Sequence, residues 1–110
     1  MDSWDVRIRS QKVTQWWEVR VVDEHDKPLS EDISVPGSIL SKMAPGSMLL
    51  RGIDPYLNTT FNNAQVEFFI KEWEELAPRV EPEDQAIWQS VLDYAIRCLE
   101  PHVYLKFIGD

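Results

Sequence analysis

The chain has one cysteine and no long apolar run, and each shortage excludes a class of protein. Cys98 alone cannot form an internal disulfide, so a disulfide-stabilised scaffold is excluded. A membrane-spanning helix needs about 20 consecutive apolar residues, and no run approaches that length. Because Met1–Asp5 also lack the charged and apolar regions of a signal peptide, we expect a cytoplasmic protein.

The signatures of nucleotide and metal sites are missing as well. The sequence has neither the G-x-G-x-x-G nor the G-x-x-x-x-G-K-[ST] pattern, and its four glycines are scattered. His25, His102 and Cys98 are the good transition-metal ligands, and none of their spacings is that of a zinc site. We therefore expect no cofactor and no metal.

Basic residues are also scarce, since 11 Lys and Arg stand against 19 Asp and Glu, for a net charge of −8. Residues 62 to 100 carry three basic and nine acidic side chains, a balance of −6. Binding to nucleic acid or anionic lipid depends on basic side chains, so we expect neither partner. The classes of partner that remain are a neutral ligand, a cation and a protein with a basic surface.

The residues that are present suit one small domain spanning residues 1 to 110. Hydrophobic residues make up 44% of the chain and include five tryptophans, which is ample material for one core. Apolar and polar residues alternate over about 4 to 10 and 13 to 23, which predicts two antiparallel strands joined by a turn at Ser10–Lys12. Similar alternation predicts a final strand near Val103 to Ile108.

Two amphipathic helices are predicted between these strands. Asn62 or Asn63 caps the first, which ends at Pro78, and the second begins near Pro82 and ends at Pro101. The predicted fold is therefore α+β, with a small antiparallel sheet, formed by an N-terminal hairpin and the C-terminal strand, packed against a two-helix hairpin. Residues 33 to 47 suit a loop with one helical turn, and Met48–Leu50 suits a short buried strand.

Acidic side chains on these helices have two interpretations. Glu72, Glu75 and Asp93 would serve general acid–base chemistry if one were buried. Acids on the solvent face of an amphipathic helix are more common, and this favours a protein that is not an enzyme. Cys98 belongs to the apolar stripe of the second helix, where a thiol packs as a small hydrophobic group.

Adjacent tryptophans in a strand point to opposite faces of the sheet. Trp16 and Trp17 therefore cannot both reach a core on one side. The outer one is either covered by another element or exposed, and exposed aromatic side chains are enriched at protein interfaces. The pair is therefore a candidate contact for self-association or for docking of a partner.

Two segments of the chain resemble a known group of proteins. They are Leu50-Arg51-Gly52-Ile53-Asp54-Pro55-Tyr56, followed by Asn58-Thr59-Thr60-Phe61-Asn62, and the ending Tyr104-Leu105-Lys106-Phe107-Ile108-Gly109-Asp110. Over residues 49 to 110 the chain resembles a group of small bacterial proteins with an I-D-P-Y-x-D-T-x-F-N segment, two acidic helices and an L-Y-L-K-F-I-G-D ending. The resemblance implies a bacterial cytoplasmic origin and no particular activity. Asn58 stands where the group has Asp, which argues against a metal site there.

The same segment contains the sharpest polar cluster of the sequence. Its members are Asp54, Tyr56, Asn58, Thr59, Asn62 and Asn63. One interpretation is a turn in which these side chains bond their own backbone and cap the first helix. The other is a ligand or partner site, with a pocket edged by Asp54, Tyr56 and Asn58.

The leading functional hypothesis is an acidic interaction domain of the immunity or inhibitor type. It would bind a basic protein through its helices, with Glu67, Glu74 and Glu75 as contact candidates. A small-ligand binding domain or minor enzyme at the polar cluster is one alternative. A structural homodimer joined through the N-terminal sheet is another.

Overall fold

A computed structural model describes residues 16–43, 46–54 and 56–109. Over these residues the chain forms strands β1 (Trp16–Asp23), β2 (Ile33–Pro36), β3 (Asn58–Phe61) and β4 (Val103–Ile108). The helices are α1 (Gly37–Leu40), α2 (Asn63–Leu76) and α3 (Gln85–Arg97), with 3₁₀ turns at Leu50–Gly52, Ala77–Arg79 and Pro82–Asp84. The α+β class is confirmed. The predicted strand over 4 to 10 and its turn lie outside the described residues.

The described strands form one antiparallel sheet in the order β2-β1-β4-β3. Strand β1 is central, because Glu18 to Asp23 pair with β4 while Trp16 to Val19 pair with β2. On the same edge of β1 as β2, the backbone N–H of Leu29, which precedes β2 in the chain, donates to the carbonyl of Val21 at 2.7 Å. Both edges of β1 are therefore occupied, and its hairpin partner within the described chain is β2.

Alternation along β1 separates the two faces of the sheet, as the sequence predicts. Trp17, Val19 and Val21 are buried toward the helices, whereas Trp16 on the opposite face is 44% exposed. Phe69 and Trp73 of α2 lie over this inner face, and their stacked rings are 5.4 Å apart. The prediction that only one of the adjacent tryptophans enters the core is confirmed.

Helix α2 begins where the sequence predicts, and a reciprocal cap explains why. The Asn62 side chain accepts from the N–H of Gln65 at 2.9 Å, and the Gln65 side chain accepts from the N–H of Asn62 at 2.9 Å. This capping box satisfies amides that have no partner inside the helix. The second helix begins with the predicted proline turn at Pro82 and continues as α3, but it ends at Arg97, before the predicted end at Pro101, because the amides of Leu99 and Glu100 form three-residue turn bonds instead of helical ones.

Two predictions for the middle of the chain need correction. Ile33–Pro36 form a strand instead of a loop, although the expected helical turn is present at α1. Met48–Leu50 do not form a buried strand, since Met48 is 80% exposed and Leu50 begins a 3₁₀ turn. The Glu72 carboxylate accepts from the N–H groups of all three residues, so these amides point in one direction. An extended strand would point them alternately to opposite sides.

Candidate functional site

Three members of the polar cluster, Asp54, Thr59 and Asn62, accept hydrogen bonds from the local backbone. The Asp54 carboxylate accepts from the N–H of Tyr56 at 2.7 Å and of Leu57 at 3.0 Å, which is the geometry of an Asx turn. The Asp54 N–H donates to the Thr59 hydroxyl at 3.1 Å. Asn62 is occupied by the helix cap. These contacts form a turn at residues 54–57 and a cap at Asn62, whereas Asn58–Phe61 between them form strand β3, which the sequence prediction did not include in the sheet.

One further bond joins this turn to the sheet. The indole N–H of Trp17 donates to the Asp54 carbonyl at 3.1 Å, so the structure brings Trp17, Asp54 and Thr59 together. Tyr56 is 73% exposed, and Asn58 is exposed on β3 opposite Ile108 of β4. A ligand site at this cluster therefore stays a prediction, as does a partner contact at the exposed Trp16.

The helical layer presents carboxylates to solvent. Glu67, Glu74 and Glu75 of α2 are exposed, and none has a salt-bridge partner among the residues that the structure describes. Lys71 lies on the same face, but its ammonium stacks over the Phe68 ring at 5.6 Å from the ring centroid. The exposed surface of α2 therefore keeps a net negative charge, with these three acids against Lys71.

Three basic side chains elsewhere in the described chain are paired with acids outside α2 and α3. Arg20 donates two bonds of 2.8 Å to Asp32, and the Lys106 ammonium lies 2.8 Å from the Asp26 carboxylate. Lys42 donates at 2.6 Å to Glu81, and this bond lowers the pKa of the Glu81 carboxyl. These pairs hold loops against the sheet or against the link between the helices. None of the three is paired with an acid of α2 or α3.

Glu72 differs from the other acids of α2 because its carboxylate faces the chain. Its two oxygens accept from the N–H groups of Met48, Leu49 and Leu50 at 3.0 to 3.2 Å. Three bonds to an ionised acceptor attach the segment before the 3₁₀ turn to the helix. The sequence singles out Glu72 only as one of several candidate acids, so the structure assigns it a bridging role that helical spacing does not reveal.

A catalytic thiol would require Cys98 as the nucleophile and His102 as its base, and the structure does not place them as such a pair. Cys98 is fully buried, and desolvation raises the pKa of its thiol to about 12. The thiolate is the nucleophilic form, so at neutral pH the group is unreactive. The His102 side chain is 75% exposed and its Nδ1 lies 2.9 Å from the Glu24 carboxylate, and no hydrogen bond joins it to Cys98, although both residues are described.

A shallow depression of about 240 Å³ lies on the sheet face opposite the helices, and the sequence gives no signal for it. Its lining residues are Asp23, Glu24, Asp26, Thr60 and Tyr104. The Asp23 carboxylate accepts from the N–H groups of His25 and Lys27, and the bond from Lys27 is the main reason that its pKa is lowered. Among the described residues, no group of three or more His, Cys, Asp or Glu is placed to hold a metal ion.

Comparison with protein-family models, curated proteins and solved structures finds no match to this chain. Within residues 16–43, 46–54 and 56–109, no helix is long and apolar enough to cross a membrane. The sequence resemblance noted above therefore stays a prediction.

Proposed function

We propose that this chain is a non-catalytic, acidic protein-interaction domain of the immunity or inhibitor type, which binds a basic protein through α2 and α3. One observation carries the proposal. Glu67, Glu74 and Glu75 are exposed without a salt-bridge partner among the described residues, while Arg20, Lys42 and Lys106 are each paired elsewhere. A surface of this kind attracts a partner of opposite charge.

The expected contribution of this surface is mainly kinetic. Opposite charges steer two proteins together and raise the association rate by roughly 10- to 1000-fold at low salt. Salt screens exposed charges, since the Debye length falls to about 8 Å at physiological ionic strength. Binding through the helical acids should therefore weaken as salt concentration rises, mostly through slower association.

The cysteine chemistry supports the non-catalytic part of the proposal. Burial raises the pKa of the Cys98 thiol to about 12 and keeps it protonated at neutral pH, and no hydrogen bond joins Cys98 to His102, both of which the structure describes. We further propose that the domain acts in the bacterial cytoplasm, where a lone cysteine stays reduced.

The test compares two charge-reversal variants of the purified protein. Glu67→Lys with Glu74→Lys changes the net charge of the whole chain from −8 to −4 by two substitutions on α2. Glu24→Lys with Glu31→Lys makes the same change in net charge outside the helices. Proteins from the source cell are bound to the immobilised wild type and to each variant. A basic protein retained by wild type and by the second variant but lost by the first supports the proposal.

The captured partner is then purified, and its binding kinetics are measured between 50 and 300 mM salt. We expect the association rate to fall on the order of tenfold over this range. Two results would refute the proposal. The first is that no protein is retained differently by the two variants. The second is that the affinity of the captured protein does not change with salt concentration.

A further inference from the structure

Helix α3 and the turn that follows it carry two neighbouring apolar side chains that the core does not use, Ile96 and Leu99. Ile96 is 50% exposed and Leu99 is 41% exposed, although the remainder of the apolar stripe is buried at Val91, Ala95 and Cys98. The two are three residues apart, so they lie next to each other across one helical turn. The sequence places Leu99 in the buried stripe, and its exposure corrects that expectation.

The position of this pair follows from the packing of the two helices. Near the helix link, the indole N–H of Trp73 donates to the Trp88 carbonyl at 3.0 Å, and that of Trp88 donates to the Trp73 carbonyl at 2.9 Å. From this contact the two helices extend side by side as an antiparallel hairpin. Helical spacing places Glu67 and Ile96 each about two turns from the contact. Ile96 and Leu99 therefore lie toward the open end of the helical layer.

By helical spacing, Leu92 and Ile70 extend this apolar line toward the seam between the helices. Leu92 of α3 is 8% exposed, and Ile70 of α2 is partly buried against the core. With Ile96 and Leu99 they form what we call the seam strip. A seam between two antiparallel helices is a groove into which the side-chain ridge of a third helix fits.

Carboxylates border the seam strip on both sides. Glu67 and Glu74 lie on α2, Asp93 is three residues before Ile96, and Glu100 directly follows Leu99, and all four are exposed. None of the four forms a salt bridge with another described residue. An apolar centre within an acidic border is complementary to an apolar face flanked by Lys and Arg.

We propose that the seam strip is the docking site for an amphipathic basic helix of the partner, which packs apolar side chains on Ile96 and Leu99 and pairs Lys or Arg with the bordering acids. The inference rests on the proposed function, because it names the structural element through which a basic partner is recognised. Apolar residues at steps of three and four on the partner would match the seam, as in other helix-in-groove complexes.

The experiment uses two synthetic 18-residue peptides as probes. One has leucines at steps of three and four with Lys and Arg on both flanks, and the other has the same composition in an order without an apolar face. Each is titrated into the full ¹⁵N-labelled chain. We expect the amphipathic peptide to bind at least tenfold more tightly and to shift the amide signals of Ile96 and Leu99.

Two matched variants locate the contact. Ile96→Ser with Leu99→Ser should weaken binding of the amphipathic peptide at least tenfold, whereas Phe68→Ser, which removes an apolar side chain 59% exposed on α2, should leave it within twofold. Thermal unfolding followed by circular dichroism checks that each variant is folded. Because these side chains are half exposed, we expect folding to survive both changes.

The outcomes separate this inference from the proposed function. If both peptides bind equally well and binding falls with salt, the seam strip is refuted and the acidic surface stands. If neither peptide binds while the basic protein still does, the helix-docking inference is refuted alone. Light scattering that shows a dimer, lost on Ile96→Ser with Leu99→Ser, would assign the seam strip to a second copy and overturn the inference.

Discussion

Glu72→Ala should destabilise the domain far more than the same change at Glu75, three residues later in the same helix. Glu75 is exposed and has no described partner, whereas the Glu72 carboxylate accepts from three backbone N–H groups. Both substitutions remove one acid and put in the same strong helix former, so helix propensity cancels in the comparison. The difference between them isolates the bonds to the 48–50 segment.

The magnitude follows from the burial of those amides. A hydrogen bond to a charged group contributes about 1.5 to 3 kcal/mol. Water can replace the acceptor of the exposed Met48 amide, whereas the Leu49 and Leu50 amides are partly buried and would lose theirs. Allowing for partial access of water, we expect Glu72→Ala to cost about 2 to 3 kcal/mol, or roughly 8 to 12 °C in Tm.

Glu72→Gln refines the test. The amide keeps one acceptor oxygen but turns an NH₂ group toward N–H donors, so we expect a cost of about 1 to 2 kcal/mol. Urea unfolding followed by tryptophan fluorescence measures each value. Hydrogen exchange at Leu49 and Leu50 gives the local readout, and Glu72→Ala should speed it at least tenfold while Glu75→Ala leaves it unchanged. Equal stability of the two alanine variants, with unchanged exchange, would refute the reasoning.

Three further predictions test the fold and its titrating groups. Trp17→Ser should cost about 3 to 5 kcal/mol and Trp16→Ser less than about 1 kcal/mol by urea unfolding, since only Trp17 is buried in the core; similar costs would contradict the assignment of faces. Cys98 should resist a thiol reagent at pH 8 until urea unfolds the chain, because its pKa is about 12; rapid labelling of the native protein would count against this burial. The pKa of Asp23 lies below its usual 3.8 because the Lys27 amide donates to the carboxylate. Its contribution is therefore present above about pH 4 and lost as pH falls through the lowered pKa, so Asp23→Asn should flatten the fall of Tm between pH 4 and 2, and parallel curves would refute it.

Local signals were sufficient for the helices and the last strand. Asn62 is one of the two caps that the sequence offers for the first helix, and Pro82 marks the first turn of the second helical segment. Alternation over Val103–Ile108 gives β4 directly. In these elements, neighbouring residues determine the backbone, so a single sequence is enough.

Local signals failed where a distant residue decides the backbone. Ile33–Pro36 are too few for a clear alternation, and they become a strand because β1 offers a free edge. Met48–Leu50 look apolar enough for a strand, but Glu72, 22 to 24 residues later in the chain, organises their amides. Burial in a sheet and hydrogen bonding of backbone amides to a distant side chain are tertiary effects, and secondary-structure propensity does not predict them.

The sequence by itself determined that the chain is acidic, that its negative charge is concentrated between residues 62 and 100, and that two amphipathic helices carry it. These properties follow from composition and periodicity. Only the tertiary structure decided which acids are free: Glu72 turns to the backbone, Glu81 pairs with Lys42, and Glu67 and Glu74 stay in solvent beside the seam strip. The physical reason is that a charge is neutralised by its neighbours in space, and folding chooses those neighbours.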